Sequence, residues 1–580
     1  MAIAVDTPMA PPYWALLERE LIRTQSAACE EFFAHYFDDR GYLLCIPRWG
    51  GNDGPDDAAE NVLNWTMLHA LGAPDRVLDL YKKGWEGHLR QYTEAKTVEV
   101  PFARDGMYYK EFHVCFDWFH HGEGFSAFFL QGLSDPTDRA LIQRTRRYAG
   151  MYMAEDPQAP NYDPEHRVIR SMFNGSRGPL LRKATPLDWA GDPIEVEGRF
   201  RPLHHERSFE EMLAHYKSYV DVAGDHPLNL GATTLAFNAF ALTGEAKYRD
   251  WLVEYVDAWI ERTVANDGII PTNVGLDGTI GGACDGKWYG GTYGWGFTVD
   301  VVPYTGEVSH RGAFRDRAAY GFANALLLTG NRKYLNTWRE MYDRVNANAR
   351  VKDGRTLYPH MYGDDGWYEF QPRKFAPGAQ EVYYWTMDRE VLELLPEKPR
   401  WLAFLDGEDP RYPEEALQKD LATLRGRIDE MRQDPTTPDT RLSDDPNHIN
   451  PAITETLTRL MLGGLPTGRN GYPLHCRLRY FDPDRQRAGI PDDVAALVEK
   501  LTADSATVTL VNTSPIAARR VVVQGGAYAE HRIIELKQGD QTIPVGSSHL
   551  TVELAPGAGA KLELRTQRYV NPPTFAFPWS

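Results

Sequence analysis

A chain of 580 residues with a net charge of −18 exceeds one ordinary domain and lacks the clustered Lys and Arg that grip nucleic acid or an anionic membrane. It is 42% hydrophobic, yet no apolar run approaches the roughly 18 residues of a spanning helix. Aromatic residues reach 12%, and many lie in Gly-rich loops, where ring faces suit the C–H faces of sugars.

The N-terminal stretch MAIAVDTPMAPPYWALLERE has neither the basic start nor the apolar core of a signal peptide. Five cysteines (Cys29, Cys45, Cys115, Cys284, Cys476) are scattered without CxxC spacing. Together these predict a cytoplasmic protein with reduced thiols, no metal site and no cofactor.

In chain order, five segments are apolar nearly all round: 60–71 (ENVLNWTMLHAL), 124–133 (GFSAFFLQGL), 231–242 (GATTLAFNAFAL), 319–328 (AYGFANALLL) and 453–462 (ITETLTRLML). Such segments predict helices buried on every side. Residues 240–259 and 326–345 repeat one pattern, with Leu242-Thr243-Gly244 and Lys247-Tyr248 answering Leu328-Thr329-Gly330 and Lys333-Tyr334. Each reads as a helix ending at Gly, a short turn and a polar second helix. Residues 414–435 are charged nearly throughout and predict an exposed outer helix. Long loops rich in Gly, Asp, Trp and Tyr precede the apolar helices, so an inner ring wrapped by an outer ring is expected. The predicted fold is mainly α: an (α/α)6 toroid over 1–495, then a small C-terminal antiparallel β-sandwich over 496–568. An aromatic tail, 569–580, is expected to pack on the body or on a second subunit. Residues 491–503 read as a connector, and alternating runs from about 500 onward read as strands.

The loops entering the inner helices should converge over one cavity. The 268–302 loop has Asp277 and Asp285 before Trp288, Tyr289, Tyr293 and Trp295; the aromatics suit stacking, and the carboxylates either acid–base work or simple turn capping. In 108–129, Asp117, His120, His121 and Glu123 crowd a helix start, where Glu123 could also serve only the helix dipole. Asn174 and Arg177 lie on a Gly-bounded turn, the Arg suited to a carboxylate or to loop carbonyls. His360 and Tyr362 complete the candidates; Asp57, in 49–61, has the N-cap as its plain role.

The runs PTNVGLDGTIGG and GKWYGGTYGWGF (271–297), DWFHHGEG (117–124) and the C-terminal β-module resemble glycoside hydrolase family 154, whose characterised activity is β-glucuronidase. The plan is also similar to polysaccharide lyases and unsaturated glucuronyl hydrolases. The resemblance implies a uronic-acid-terminated oligosaccharide as substrate and a homodimer. The resulting expectation is hydrolysis of a β-glucuronide by a pair drawn from Asp117, Glu123, Asp277 and Asp285. His120, His121, Asn174 and Arg177 would hold the uronate, with Trp288, Tyr289, Tyr293 and Trp295 stacked on the ring. Two alternatives stay open: a lyase using a Tyr/His base, and a non-catalytic carbohydrate-binding protein.

Overall fold

The computed structural model describes residues 1–46, 54–96, 104–183, 208, 210, 222–289 and 318–580. Its first helices are α1 (Tyr13–Tyr36), α2 (Pro55–Glu60), α3 (Trp65–Leu71), α4 (Asp75–Glu94), α5 (Trp118–Ser134) and α6 (Arg139–Gly150). In α3 every residue is buried, and in α5 all but Phe119 are. The same holds for most of Thr233–Thr243 and Glu455–Leu462. With little or no polar face, these helices must be covered on nearly every side by other elements.

The repeated sequence pattern builds a repeated turn. Thr243 and Thr329 return their hydroxyls to the carbonyls of Ala239 and Ala325, both at 2.7 Å. Gly244 and Gly330 follow in the left-handed region, at φ 70° and 67°. The next helices, Ala246–Ala265 and Lys333–Asn346, open with Lys247 and Lys333 lying 4.8 Å over the rings of Tyr248 and Tyr334. Thr386, bonded to Val382 at 2.8 Å, closes the Ala379–Thr386 helix in the same way. Lys333 pairs with Asp257 at 2.8 Å and ties one hairpin to the next. The charged helix Tyr412–Gln433 buries only a stripe that includes Leu417, Leu421, Leu424 and Met431. Among the described residues no helix is long and apolar enough to cross a membrane.

The C-terminal region forms two five-stranded sheets. One runs in the order Ala2–Val5, His549–Leu554, Arg519–Gly525, Leu478–Asp482, Arg487–Ala488. The other runs Val494–Leu501, Ser505–Asn512, Gly559–Gln567, Arg532–Gln538, Gln541–Ser547. Three features differ from the sequence reading. Residues 491–503 contain the strand Val494–Leu501 in place of a connector; its first five residues are all buried, so no alternation marks it. Strand pairing starts earlier, at Leu478; Leu478–Asp482 is buried throughout, and Arg479 enters it by donating from Nη1 and Nη2 to the carbonyls of Ala527 and Leu133. The first sheet is not purely antiparallel, since Ala2–Val5 arrives from the far end of the chain and pairs parallel to His549–Leu554. The aromatic tail packs on the body: Phe575 is 1% exposed, donates its N–H to Ala241 and meets the Tyr528 ring at 5.1 Å.

Single β-bridges stitch the loops that precede the buried helices. Phe116 bridges Asn174, Ser171 bridges Ala223, Asp225 bridges Val274, and Thr272 donates to the Trp288 carbonyl at 2.7 Å. Loops far apart in sequence are thereby joined in one continuous layer.

Candidate active site

The DWFHHGEG stretch starts α5, and each residue has a physical reason for its place. Asp117 is the N-cap, its Oδ1 accepting the N–H groups of Phe119 and His120 at 2.7 and 3.3 Å. Its Oδ2 lies 2.5 Å from His120 Nδ1. Glu123 stands between two glycines that let other segments come close. A Cβ on Gly124 would meet His113 at 2.8 Å and the Asp56 Cα at 3.5 Å. The segment after the Glu455–Leu462 helix brings Gly471 onto Gly122, and its N–H donates to the Ser126 hydroxyl at 2.9 Å. A Cβ on Gly471 (φ 71°) would lie 2.9 Å from Gly122 Cα and 3.0 Å from Phe129. Gly471→Ala should therefore lower stability by about 1–3 kcal/mol, read from urea unfolding.

These approaches place α2 and residue 469 over the start of α5. Asp56, His120 and Glu123, all buried, offer ligand-type atoms within 4.8 Å of one another. Arg469 Nη1 meets both Glu60 oxygens at 3.0 Å, and its Nε stands 4.0 Å from Glu123. Asn447 also donates to Glu60 Oε2, at 2.9 Å. Asp57 is not the N-cap read from the sequence: Gly54 takes that position, and Asp57, three residues on, accepts the Gly54 N–H at 3.2 Å.

Burial raises the pKa of Asp56; the charge on His120 pulls it back, while Glu123 and Asp117 push it further, to about 7. Glu60 is likewise raised to about 7, first by burial, against the pull of Arg469. For His120 burial opposes the charged form, but Asp117, Asp56 and Glu123 outweigh it and hold the pKa at about 9. At neutral pH the pocket thus holds a protonated His120 beside a carboxyl poised between its two forms. If a cation is bound here, the ligands are Asp56, His120 and Glu123, with Asp117 orienting the imidazole from behind.

The structure brings together three of the expected residues, Asp117, His120 and Glu123, and adds Asp56, Glu60 and Arg469. His121 points away: its Nδ1 meets His113 Nδ1 at 2.9 Å, its Nε2 donates to the Asn174 carbonyl at 2.9 Å, and burial lowers its pKa to about 4. The Asn174 side chain is held by Tyr152, Ser171 and Asn229. Arg177 pairs with exposed Asp105 at 3.1 Å and lies 5.1 Å from the Tyr109 ring. Asp277 is occupied with the Thr279 N–H at 3.0 Å in an exposed turn, and Asp285 sits exposed with φ 53°. Trp288, Tyr289 and Tyr362 gather in a separate half-buried cluster, Trp288 to Tyr362 at 4.8 Å and Tyr289 to Tyr362 at 5.1 Å. Tyr289 donates to Asp364 at 2.6 Å. His360 meets the Arg373 carbonyl at 3.1 Å. Tyr293 and Trp295 lie outside the described residues.

Several solved structures are similar. A cellobiose 2-epimerase from Bacillus thermoamylovorans B4167 is 11% identical, with 65% of this chain and 84% of that one covered and a TM-score of 0.34. The GH76A α-1,6-mannanase of Salegentibacter sp. HEL1_6 is 10% identical, with 75% and 98% covered and a TM-score of 0.29. A GH127 β-arabinofuranosidase is 9% identical, with 98% and 82% covered and a TM-score of 0.28. Comparison with curated proteins gives no match. Residues 2–397 and 393–458 match the family model described as a domain of unknown function, DUF8034, and with most of its length so matched the chain belongs to that family.

Proposed function

We propose that the protein is a glycoside hydrolase whose paired helices close as an (α/α)6 ring around the Asp56–His120–Glu123 pocket. Asp56 donates a proton to the departing glycosidic oxygen, and the Glu123 carboxylate meets the sugar carbon or activates water. The observation that carries this reading is a buried carboxyl with a pKa near 7 within 4.8 Å of a second carboxylate. That short separation fits the retaining arrangement, in which the carboxyl groups stand about 5 Å apart. The separate cluster of Trp288, Tyr289 and Tyr362 presents ring faces of the kind that stack on sugars.

The resemblance to family 154 makes a terminal β-linked uronic acid the first sugar to test. Arg469 is the guanidinium at the pocket, and Glu60 competes with a uronate for it; an uncharged sugar meets no such competition. A panel of chromogenic glycosides, β-glucuronide included, tests the reading. The expected result is chromophore release by the wild type and its loss in Glu123→Gln. No release from any glycoside, or a rise in absorbance near 235 nm on a uronic oligosaccharide, would overturn it, the latter in favour of β-elimination.

The three gathered ligand atoms favour a second reading, hydrolysis assisted by a divalent cation at the same residues. The proton that Asp117 above all holds on His120 already supplies the positive charge, so acid–base chemistry is preferred. Dialysis against a chelator should leave activity unchanged; loss that is reversed by added metal would establish the cation.

A further inference from the structure

The seam between helices and sheets holds buried cationic charge that, among the described residues, makes no direct ion pair with a carboxylate. Arg477, just before the Leu478–Asp482 strand, is 2% exposed. Its Nη2 donates to the Thr502 carbonyl at 2.5 Å, and its guanidinium lies 5.9 Å from the Tyr384 ring centroid. Its Nε and Nη1 are buried and have no acceptor. Arg568 reaches the same tyrosine, donating to the Tyr384 carbonyl at 3.1 Å and to the Tyr569 hydroxyl at 2.8 Å, and its Nε is also buried without an acceptor. His475, 2% exposed, lies 5.2 Å from the Trp385 ring, and neither of its ring nitrogens has a partner. His531 faces the same space: the Tyr569 N–H donates to its Nδ1 at 3.2 Å.

The neighbouring carboxyl, Glu530, is 3.7 Å from His531 and is engaged by the Tyr528 N–H at 2.8 Å; Arg568 attracts its charge, but burial raises its pKa to about 7 and leaves it only part-ionised. Among the described residues neither Arg477 nor Arg568 forms an ion pair with a carboxylate. The two cations feel each other: after burial, Arg568 is the group that most lowers the pKa of Arg477, to about 10. A buried guanidinium left with unpaired N–H groups is strongly unfavourable, and a second one beside it compounds the penalty. Water can accept from the free N–H groups but cannot neutralise the charge.

We propose that Arg477, Arg568 and the N–H of His475 form an internal binding site for a small inorganic anion, of halide size, which locks the helical region to the sheets. Burial of Arg477 and His475 favours a monatomic ion over a tetrahedral oxyanion. Thr502, bonded to Arg477, also lines a groove of about 780 Å³, which opens a route to solvent; its wall carries Arg389, Lys500 and Lys561 together with Asp406 and Glu499. The inference is independent of the hydrolase reading.

Full-length protein in sodium gluconate should be titrated with chloride or bromide at constant ionic strength while its Tm is followed. The expected result is a saturable rise of several degrees. Crystals grown in bromide should show an anomalous peak within hydrogen-bond distance of the Arg477 and Arg568 Nε atoms. Arg477→Met and Arg568→Met should abolish or weaken the saturable response. A flat titration, an equal response in both variants, or water at the site in bromide crystals would overturn the proposal. The wild-type crystal decides the matter even if neither variant folds.

Discussion

Asp56→Asn should lower kcat/KM on a responsive glycoside by about 10²- to 10⁴-fold, the usual contribution of a positioned general acid. The amide keeps the shape of the carboxyl but has no proton to give. The deficit should shrink with a nitrophenyl leaving group and grow with an alkyl one, since only the poor leaving group needs protonation. In the wild type, kcat/KM should fall as pH rises through about 7, because Asp56 loses its proton there. That limb should be missing from Asp56→Asn. Glu123→Gln should be as damaging with either leaving group. Full activity in Asp56→Asn would remove this carboxyl from the mechanism and leave Glu60, also raised to about 7, as the acid to examine.

A second large effect is expected on stability, at Glu18. This α1 residue is 1% exposed, accepts the Ala496 N–H at 3.1 Å and has its other oxygen buried without a partner. Burial raises its pKa from 4.5 to about 8, against the opposing pull of Arg19 and the Ala496 N–H. A carboxyl whose folded pKa lies above its unfolded value contributes stability that is complete below pH 4.5 and is lost as pH rises to about 8. Between pH 5 and pH 8 that loss amounts to about 3–4 kcal/mol, at 1.36 kcal/mol per pH unit. Glu18→Gln keeps the acceptor without the charge. The difference in unfolding free energy between wild type and Glu18→Gln should therefore shift by that amount across the range, in favour of the variant at high pH. Buried histidines such as His88, which burial lowers to about 3, act in the opposite direction. They contribute stability above the unfolded value of 6.5 that is lost as pH falls toward about 3, and the difference measurement cancels them.

Local pattern made much of this protein legible before any fold was known. The Leu-Thr-Gly and Lys-Tyr repeats specify the turn, because the threonine bond, the left-handed glycine and the lysine over tyrosine all form within a few residues. The all-round apolar helices declare their burial for the same reason. Strands exposed on one face, such as Gly559–Gln567, show the alternation that names them, whereas Leu478–Asp482 and the start of Val494–Leu501 hide it by being buried on both faces. At the candidate site, Asp117, His120 and Glu123 were visible as a crowded helix start. The roles of its other members were not. Asp56 sits in a short acidic run indistinguishable from an N-cap, and Arg469 in an ordinary turn.

The sequence by itself determined the all-round apolar helices, the strands with one exposed face and where the hairpins repeat, because those properties follow from periodicity and short-range bonding. Only the tertiary structure decided which carboxyl stands opposite Glu123. That choice rests on Gly122 and Gly124 admitting the chain around residues 471 and 56, a contact between segments whose sequences carry no mark of each other.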